Sequence, residues 1–182
     1  MSTNAMIFKM ENNKVRGIYC HWDGYPDYVG AILRDSYQKP SKVDSLINLG
    51  EVSSLGDNVS AHPFVKKYGF EYSMSEEYKK LNEYEKQTLS GELKEYTLAY
   101  HRDRGEDLKI MEMTVEEFSN KLKNDNFPYS GPVYLYLMKA NKLKQYEWVY
   151  SELEFFDELD YQLLGNEFCS RGSYWSPFKP LR

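Results

Sequence analysis

The stretch RGIYCHWDGYPDYVG, Arg16–Gly30, decides the fold expected for this chain. It begins with strand-forming residues, which we expect to pair in a β-hairpin with Ile7–Met10 around a turn at Asn12-Asn13, because Asn tolerates the left-handed backbone of such turns. Pro26 suits the first turn of a helix, where its missing N–H is harmless. Apolar residues at helical spacing then predict a helix over Pro26–Tyr37. The unit is therefore a strand, a short polar and aromatic loop, and a helix.

The loop between that strand and that helix carries the first candidate binding site. In a functional interpretation His21 and Asp23 line a pocket, because His titrates near neutral pH and a neighbouring carboxylate orients its ring. Trp22 and Tyr25 would then form the walls of the pocket. In a structural interpretation Asp23 caps the helix, His21 bonds to the backbone and Trp22 fills the core, since Trp buries a large apolar area. Gly24 is expected to supply a positive φ.

The same segment carries a resemblance to a known family. Ile18–Pro26, IYCHWDGYP, with Val29-Gly30 and Leu33 after it, is similar to the opening of a family of uncharacterised bacterial and phage proteins. The similarity continues through Ile47–Gly50 and Ser53–Leu55, over roughly the first third of the chain. The resemblance implies a small accessory protein encoded on phages or prophages. It brings no established activity, so no catalytic role is transferred to any residue.

Length and composition predict a single domain. With 182 residues, 41% of them hydrophobic, the chain can form one sizeable core, which we place over residues 6–182. Met1–Ala5 precede a second methionine and are interpreted as an expression remnant. Two cysteines, Cys20 and Cys169, provide neither a disulfide framework nor a CxxC metal motif, which suits a cytoplasmic protein. A net charge of −5 argues against nucleic-acid binding, and no apolar run is long enough to span a membrane.

The segment after the first helix is expected to be mostly helical or irregular. A second short helix is predicted over Lys42–Leu49, where Gly50 follows its end. Residues 51–72 are polar and interrupted by Gly and Pro, so we expect a long loop, which carries His62 and is of the kind that often has a function. Ser75–Leu89 is rich in charged residues and predicts one helix on the surface.

The remaining part of the chain predicts two more hairpins around a helix. That helix begins at the capping box Thr114–Glu117. Glu152–Leu164 fits either a last helix or an edge strand with a turn, and Gly165–Arg182 is expected to wrap around the surface. Together the elements predict an α+β fold whose antiparallel or mixed sheet is built from hairpins, with short helices packed on one face. The expected hairpins pair Glu95–His101 with Leu108–Met113, and Val133–Met138 with Tyr146–Tyr150.

The sequence contains no established catalytic motif. It has no P-loop, no dinucleotide-binding glycine pattern, and no HExxH or GxSxG motif. Cys20 and His21 are adjacent in a strand, so their side chains point to opposite faces, and we expect Cys20 to be a small buried residue rather than a nucleophile. The three histidines, His21, His62 and His101, would form a metal site with nearby aspartates only if the loop around His62 folded over the sheet. Random placement explains them equally well, so we predict no metal ligands and no cofactor, and enzymatic activity stays open.

The region Gln145–Ser170 is strongly acidic. It contains seven Asp and Glu residues and neither Lys nor Arg. An acidic face with interleaved aromatic residues suits docking on a basic protein surface, while an ordinary solvated acidic helix is the alternative. The candidate binding residues of this region are Glu154, Asp157, Glu158 and Asp160.

Taken with the resemblance, these features predict a phage-type or prophage-type accessory protein in the cytoplasm that acts by binding, with another protein as its expected partner. The alternative is a protein that handles a small molecule or a nucleotide at the His21–Tyr25 loop, with or without catalysis. Tight burial of His21 and Trp22 would count against this alternative. The sequence leaves the identity of the partner and the oligomeric state open.

Overall fold

The chain folds around one mixed β-sheet flanked by short helices, which confirms the predicted α+β class. The computed structural model describes residues 3–124, 127, 132–155 and 173–181. The strands are β1 (Asn4–Glu11), β2 (Lys14–Cys20), β3 (Val52–Ser54), β4 (Leu98–Ala99), β5 (Met111–Thr114), β6 (Pro132–Ala140), β7 (Tyr146–Phe155), β8 (Ser173–Trp175) and β9 (Lys179–Pro180).

The helices are short and lie mostly between β2 and β6. A π-helical turn at Pro26–Gly30 leads directly into the first helix, so the predicted helix over Pro26–Tyr37 is confirmed with a wider first turn. The helices are α1 (Ala31–Ser36), α2 (Pro40–Ile47), α3 (Pro63–Tyr68), α4 (Glu76–Lys80), α5 (Glu83–Leu93), α6 (Tyr100–Arg104) and α7 (Val115–Asn124), with a 3-10 turn at Tyr72–Met74.

The N-terminal hairpin forms as its Asn pair predicts. β1 and β2 pair antiparallel up to Glu11 and Lys14, and Asn12 and Asn13 make the two-residue turn with φ angles of 49° and 62°. Two consecutive positive φ angles give a turn whose twist matches that of the flanking strands.

β1 lies in the middle of the sheet. The strand order is β4-β3-β2-β1-β6-β7-β8, in which β1 pairs antiparallel with β2 and parallel with β6. Asn4 and Ala5, which we interpreted as part of an expression remnant, belong to β1, and Ala5 is completely buried opposite Cys20. The predicted hairpin of β6 and β7 is confirmed, and β6 continues to Ala140 and β7 to Phe155 beyond their expected ends.

Helices cover both faces of the sheet. On one face, α1 and α2 pack over a core that includes Tyr37, Tyr136 and Trp148, all of them buried. On the other face, α7 places the ring of Phe118 with its centroid 5.0 Å from that of Phe8. The expectation of helices on one face did not include this second layer. It forms because alternate residues of β1 point to opposite faces, so each face presents its own apolar set.

The region between α2 and α5 contains more secondary-structure elements than the sequence predicts, and these elements are shorter. The expected loop over 51–72 contains β3 and α3. The expected single helix over Ser75–Leu89 is two helices, α4 and α5, because Asn82 is extended (φ −74°, ψ 171°) and forms a capping box with Glu85. Capping satisfies backbone N–H groups that an uninterrupted helix would bond internally, so a new helix starts at this position.

The expected hairpin of Glu95–His101 with Leu108–Met113 does not form. Within this run only Leu98 and Ala99 form a strand, and the chain then turns into α6, which is followed by Gly105 with a φ of 75°. β5 pairs antiparallel with β2 instead. The capping box at Thr114–Glu117 is confirmed, since each residue's side chain accepts a hydrogen bond from the other's backbone N–H.

The C-terminal part of the chain adds strands beside β7. β7 runs to Phe155, so the described beginning of Glu152–Leu164 is strand rather than helix. Both β8 and β9 pair antiparallel with β7. Of the four candidate acidic binding residues, Glu154 lies in β7, and Asp157, Glu158 and Asp160 lie outside the described residues.

Candidate functional site

The loop after β2 is anchored to the sheet through its backbone. The N–H groups of His21 and Trp22 donate to the carbonyl oxygens of Val52 and Ser53 at 3.0 Å, so the pairing with β3 continues past the end of β2. At Asp23 the backbone changes direction with a φ of 56°. The left-handed turn expected at Gly24 therefore falls on the residue before it, a conformation that Asp tolerates better than most residues.

Gly24 is required here for close approach rather than for its φ. Its N–H donates to the carbonyl of Thr3 at 2.7 Å, and its own carbonyl accepts from the hydroxyl of Tyr136 at 2.8 Å. A Cβ added to Gly24 would lie 2.7 Å from the carbonyl carbon of Asn4 and 2.9 Å from the Cβ of Ala5. The loop is thus held against the start of β1, and this contact fixes the position of Asp23.

The aromatic residues of the loop face solvent. Trp22 is 47% exposed and Tyr25 is 45% exposed, so Trp22 does not fill the core as the structural interpretation requires. His21 is partly buried, and its ring lies edge-on to Trp22 with 4.7 Å between centroids. Asp23 does not cap the following helix, whose first residues have no side-chain cap. Trp22 and Asp23 therefore do not have the structural roles of core residue and helix cap.

Asp23 lines a pocket of about 180 Å³ next to the β3–β4 side of the sheet. The pocket is open to solvent and is bordered by the loop after β2, the end of β3, the start of α3, the end of α5 and the residues leading into β4. Its lining residues are Asp23, Tyr28, Ser54, His62, Val65, Tyr72, Ser90, Leu93, Lys94, Tyr96, Thr97 and Leu98. His21, Trp22 and Tyr25 are not among these lining residues, so only Asp23 of the four predicted loop residues reaches the pocket.

One wall of the pocket is fixed by close backbone contacts. Gly56 lies against Tyr96 so closely that a Cβ would come within 2.5 Å of the backbone of Tyr96. Arg102 donates to the carbonyl oxygens of Val59 and Thr97, which ties the segment before α3 to the segment before β4. These contacts bring parts of the chain that are about forty residues apart into one wall, and they hold His62 at its edge.

His62 is held in one orientation by both of its ring nitrogens. Its Nδ1 accepts a hydrogen bond from the N–H of Phe64 at 3.1 Å and thereby caps α3. Its Nε2 lies 3.5 Å from Oε2 of Glu92. Because Nδ1 is an acceptor, the proton of the neutral ring is on Nε2 and points toward Glu92. This arrangement positions the ring as a wall of the pocket and leaves no free nitrogen to act as a general base.

Two charged side chains of the pocket have no partner in the protein. Within the described residues, neither the carboxylate of Asp23 nor the ammonium of Lys94 forms a hydrogen bond or an ion pair. They also do not pair with each other, so their charged atoms are more than 4.0 Å apart. Burial, together with the nearby carboxylate of Asp23, raises the pKa of Tyr28, and its hydroxyl therefore stays protonated at neutral pH.

The three histidines do not come together. His62 lines the pocket, His21 packs beside Trp22, and His101 is exposed with its Nδ1 2.6 Å from the carbonyl oxygen of Glu106. Across the ranges that the structure describes, no group of three His, Cys, Asp or Glu side chains is placed to hold a metal ion. Cys20 is completely buried, as expected, and burial raises the pKa of its thiol to about 12, so it is not an activated nucleophile.

Several pocket residues were missed by the sequence analysis. Tyr28 falls within the helix predicted over Pro26–Tyr37 and was given no role, and Ser90 and Lys94 follow the end of the helix predicted over Ser75–Leu89. Ser90 and Lys94 are four residues apart, which places them on one helix face, and this spacing was the available signal. The sequence could not show that this face of α5 lines the same pocket as Asp23.

Comparison with known proteins adds no identification: no family model, no curated protein and no solved structure matches this chain. Among the helices of the described ranges, every one is too short or too polar to cross a bilayer.

Proposed function

We propose that this protein binds a small polar molecule, and that its site is the pocket lined by Asp23, His62 and Lys94. The observation that carries the proposal is that two oppositely charged residues, Asp23 and Lys94, line one cavity and have no hydrogen-bond or ion-pair partner among the described residues. Both residues are exposed to solvent, so their charged groups are accessible to a ligand that enters the cavity. Backbone contacts also hold Asp23 in a left-handed conformation, a cost that is common at functional positions.

The size of the pocket limits the ligand. A cavity of about 180 Å³ is smaller than the ~300–1,000 Å³ of sites for drug-sized molecules. It corresponds to about six water molecules at liquid density. Binding without catalysis is favoured because His62 has both nitrogens engaged and Cys20 is buried away from solvent.

The test is a thermal-shift screen of the full chain against amino acids, nucleosides and monosaccharides. A ligand at about 100 times its Kd adds about 2.7 kcal/mol to stability, which corresponds to a rise in Tm of about 5–11 °C for a chain of this length. The rise should disappear in Asp23→Asn and persist in Asp107→Asn, where an exposed carboxylate outside the pocket is changed in the same way. If no compound shifts the Tm, or if both variants respond like the wild type, the pocket is not the site.

A second candidate function is the one that the family resemblance favours, an accessory protein in the cytoplasm that binds another protein. The observation in its favour is that Trp22 and Tyr25, three positions apart, each leave almost half of their surface in solvent. Aromatic residues of this kind are enriched in protein interfaces. The acidic residues Glu154, Asp157, Glu158 and Asp160 would supply the charge for a basic partner.

The acidic surface is tested with a variant in which these four residues are replaced by Gln or Asn. If the four residues form a solvated docking face, the fold should be retained, because exposed charges contribute little to stability. The association rate with a basic partner recovered from a pull-down should fall at low salt and change little at about 0.15 M, where the screening length is about 8 Å. An association rate that is unchanged at low salt would remove the acidic region from the interface.

A further inference from the structure

The pocket separates one negative and one positive group across a small cavity, and this arrangement suits a ligand with two opposite charges. Asp23 comes from the loop after β2, whereas Lys94 comes from the end of α5. Asp23 and Lys94 are both exposed and do not pair with each other, so each is available to a ligand. A ligand with a single charge would pair with only one of them, whereas a ligand with two opposite charges can pair with both.

The groups around Asp23 fit an ammonium. The carboxylate accepts from N–H donors and carries the opposite charge. Tyr28 and Asp23 both line the pocket, so an aromatic ring and a carboxylate border the same space. An aromatic ring attracts a cation over its face, which adds to the attraction of the carboxylate.

The groups around Lys94 fit a carboxylate. Ser90 lies one helical turn before Lys94, and both residues line the pocket, so a hydroxyl donor and an ammonium are available on the same side of it. The C-terminal end of α5 carries a partial negative charge of about one half, which disfavours a carboxylate nearby. The full positive charge of Lys94 is larger, so the net effect still favours a carboxylate.

Between these polar groups the pocket has apolar lining. Val65 comes from α3, and Leu93 and Leu98 come from the segments on either side of the turn after α5. Such a lining favours a ligand with an apolar body between or beside its charged groups.

We infer that the ligand is a small zwitterion of the amino-acid type, with its ammonium on Asp23 and its carboxylate on Lys94 and Ser90. This inference rests on the proposed function, because it names the ligand class of the same pocket. The volume of about 180 Å³ accommodates the amino and carboxyl groups with a small apolar side chain, and it excludes a nucleotide.

The experiment compares one zwitterion with two analogues that each lack one charge. The protein amino acids are first screened by thermal shift, and the one with the largest effect is then measured by calorimetry beside its decarboxylated and deaminated analogues. For L-leucine these are 3-methylbutan-1-amine and 4-methylpentanoate. Hydrogen bonds to charged groups are strong enough that loss of either end should weaken binding by about 10-fold or more.

The variants assign each charge to a residue. Asp23→Asn should bind the amino acid no better than it binds the deaminated acid, and Lys94→Gln should bind it no better than the amine. Lys80→Gln, an exposed lysine on α4 outside the pocket, should behave as the wild type. The inference is overturned if the single-charge analogues bind as tightly as the amino acid, or if a nucleoside or sugar binds and no amino acid does; in both cases the proposed function stands. If nothing in either screen binds, both fail.

Discussion

Replacing Gly24 with Ala should destabilise the protein, and the structure gives the reason at the level of single atoms. The added Cβ would lie 2.7 Å from the carbonyl carbon and 2.8 Å from the carbonyl oxygen of Asn4, which are backbone atoms of the central strand β1. Backbone atoms of a central strand cannot rotate to relieve a clash, whereas the end of a flexible side chain can. Forcing extra atoms into a packed site typically costs about 1–3 kcal/mol. For a chain of 182 residues this corresponds to a fall in Tm of about 2–12 °C.

The same substitution at Gly91 is a matched control with the opposite expected sign. Gly91 lies in α5, and a Cβ added there meets nothing within 4 Å. Ala is favoured over Gly inside a helix by about 0.5–1 kcal/mol, so Gly91→Ala should be slightly stabilising. If the effect of Gly24→Ala were due to its backbone freedom alone, the two variants would shift stability in the same direction.

Both variants are measured by urea unfolding followed by circular dichroism, where the midpoint reports stability as long as the slope m is unchanged. Gly24→Ala should also weaken ligand binding, because the carbonyl and N–H of Gly24 hold the loop that presents Asp23. A Gly24→Ala variant with the wild-type midpoint would refute the argument that the loop is fixed by its close approach to β1.

Three further outcomes follow from burial. Trp22→Ala should cost less than about 1.5 kcal/mol, since the side chain is 47% exposed, whereas Trp148→Ala should cost about 3–5 kcal/mol because Trp148 is buried; equal losses by urea unfolding would contradict this. Burial raises the pKa of Tyr37 to about 12, so its contribution to stability is complete below pH 10 and is lost as the pH rises toward 12. Over that range the free energy of unfolding of Tyr37→Phe should fall less steeply than that of the wild type, with a difference in slope of up to about 1.4 kcal/mol per pH unit. Equal slopes in the two proteins would argue against a buried Tyr37 hydroxyl. Cys20 should resist alkylation by iodoacetamide in the folded protein and react after unfolding, as peptide mass spectrometry would show, and equal labelling in both states would place its thiol in solvent.

Local signals in the sequence predicted the elements that depend on neighbouring residues. Asn12-Asn13 specifies the first turn because few other residues adopt two positive φ angles in succession. Thr114 and Glu117 specify the start of α7 because their reciprocal hydrogen bonds need only a spacing of three residues. The helix after Pro26 follows from the same kind of local rule.

The sequence could not predict features that depend on distant contacts. The run Glu95–His101 alternates as a strand does, but Asp103 accepts a hydrogen bond from the N–H of Ala99 and stabilises the turn into α6. The pocket depends on the close backbone contact between Gly56 and Tyr96, which brings His62 and Asp23 to one cavity. No spacing within the loop after β2 distinguishes a tryptophan in the core from one in solvent.

The parallel pairing of β1 with β6 has a consequence for the order of events during synthesis. The N-terminal hairpin can form as soon as it leaves the ribosome, but β6 begins at Pro132 and is made later by roughly 6–25 s at usual rates of translation. Throughout that interval one edge of β1 has unpaired N–H and C=O groups beside apolar residues such as Met6 and Phe8, a pattern that promotes association with other chains. A strand in the middle of the finished sheet is therefore exposed at one edge during synthesis, and the nascent chain should depend on slow closure of this long-range pair or on a chaperone that shields it.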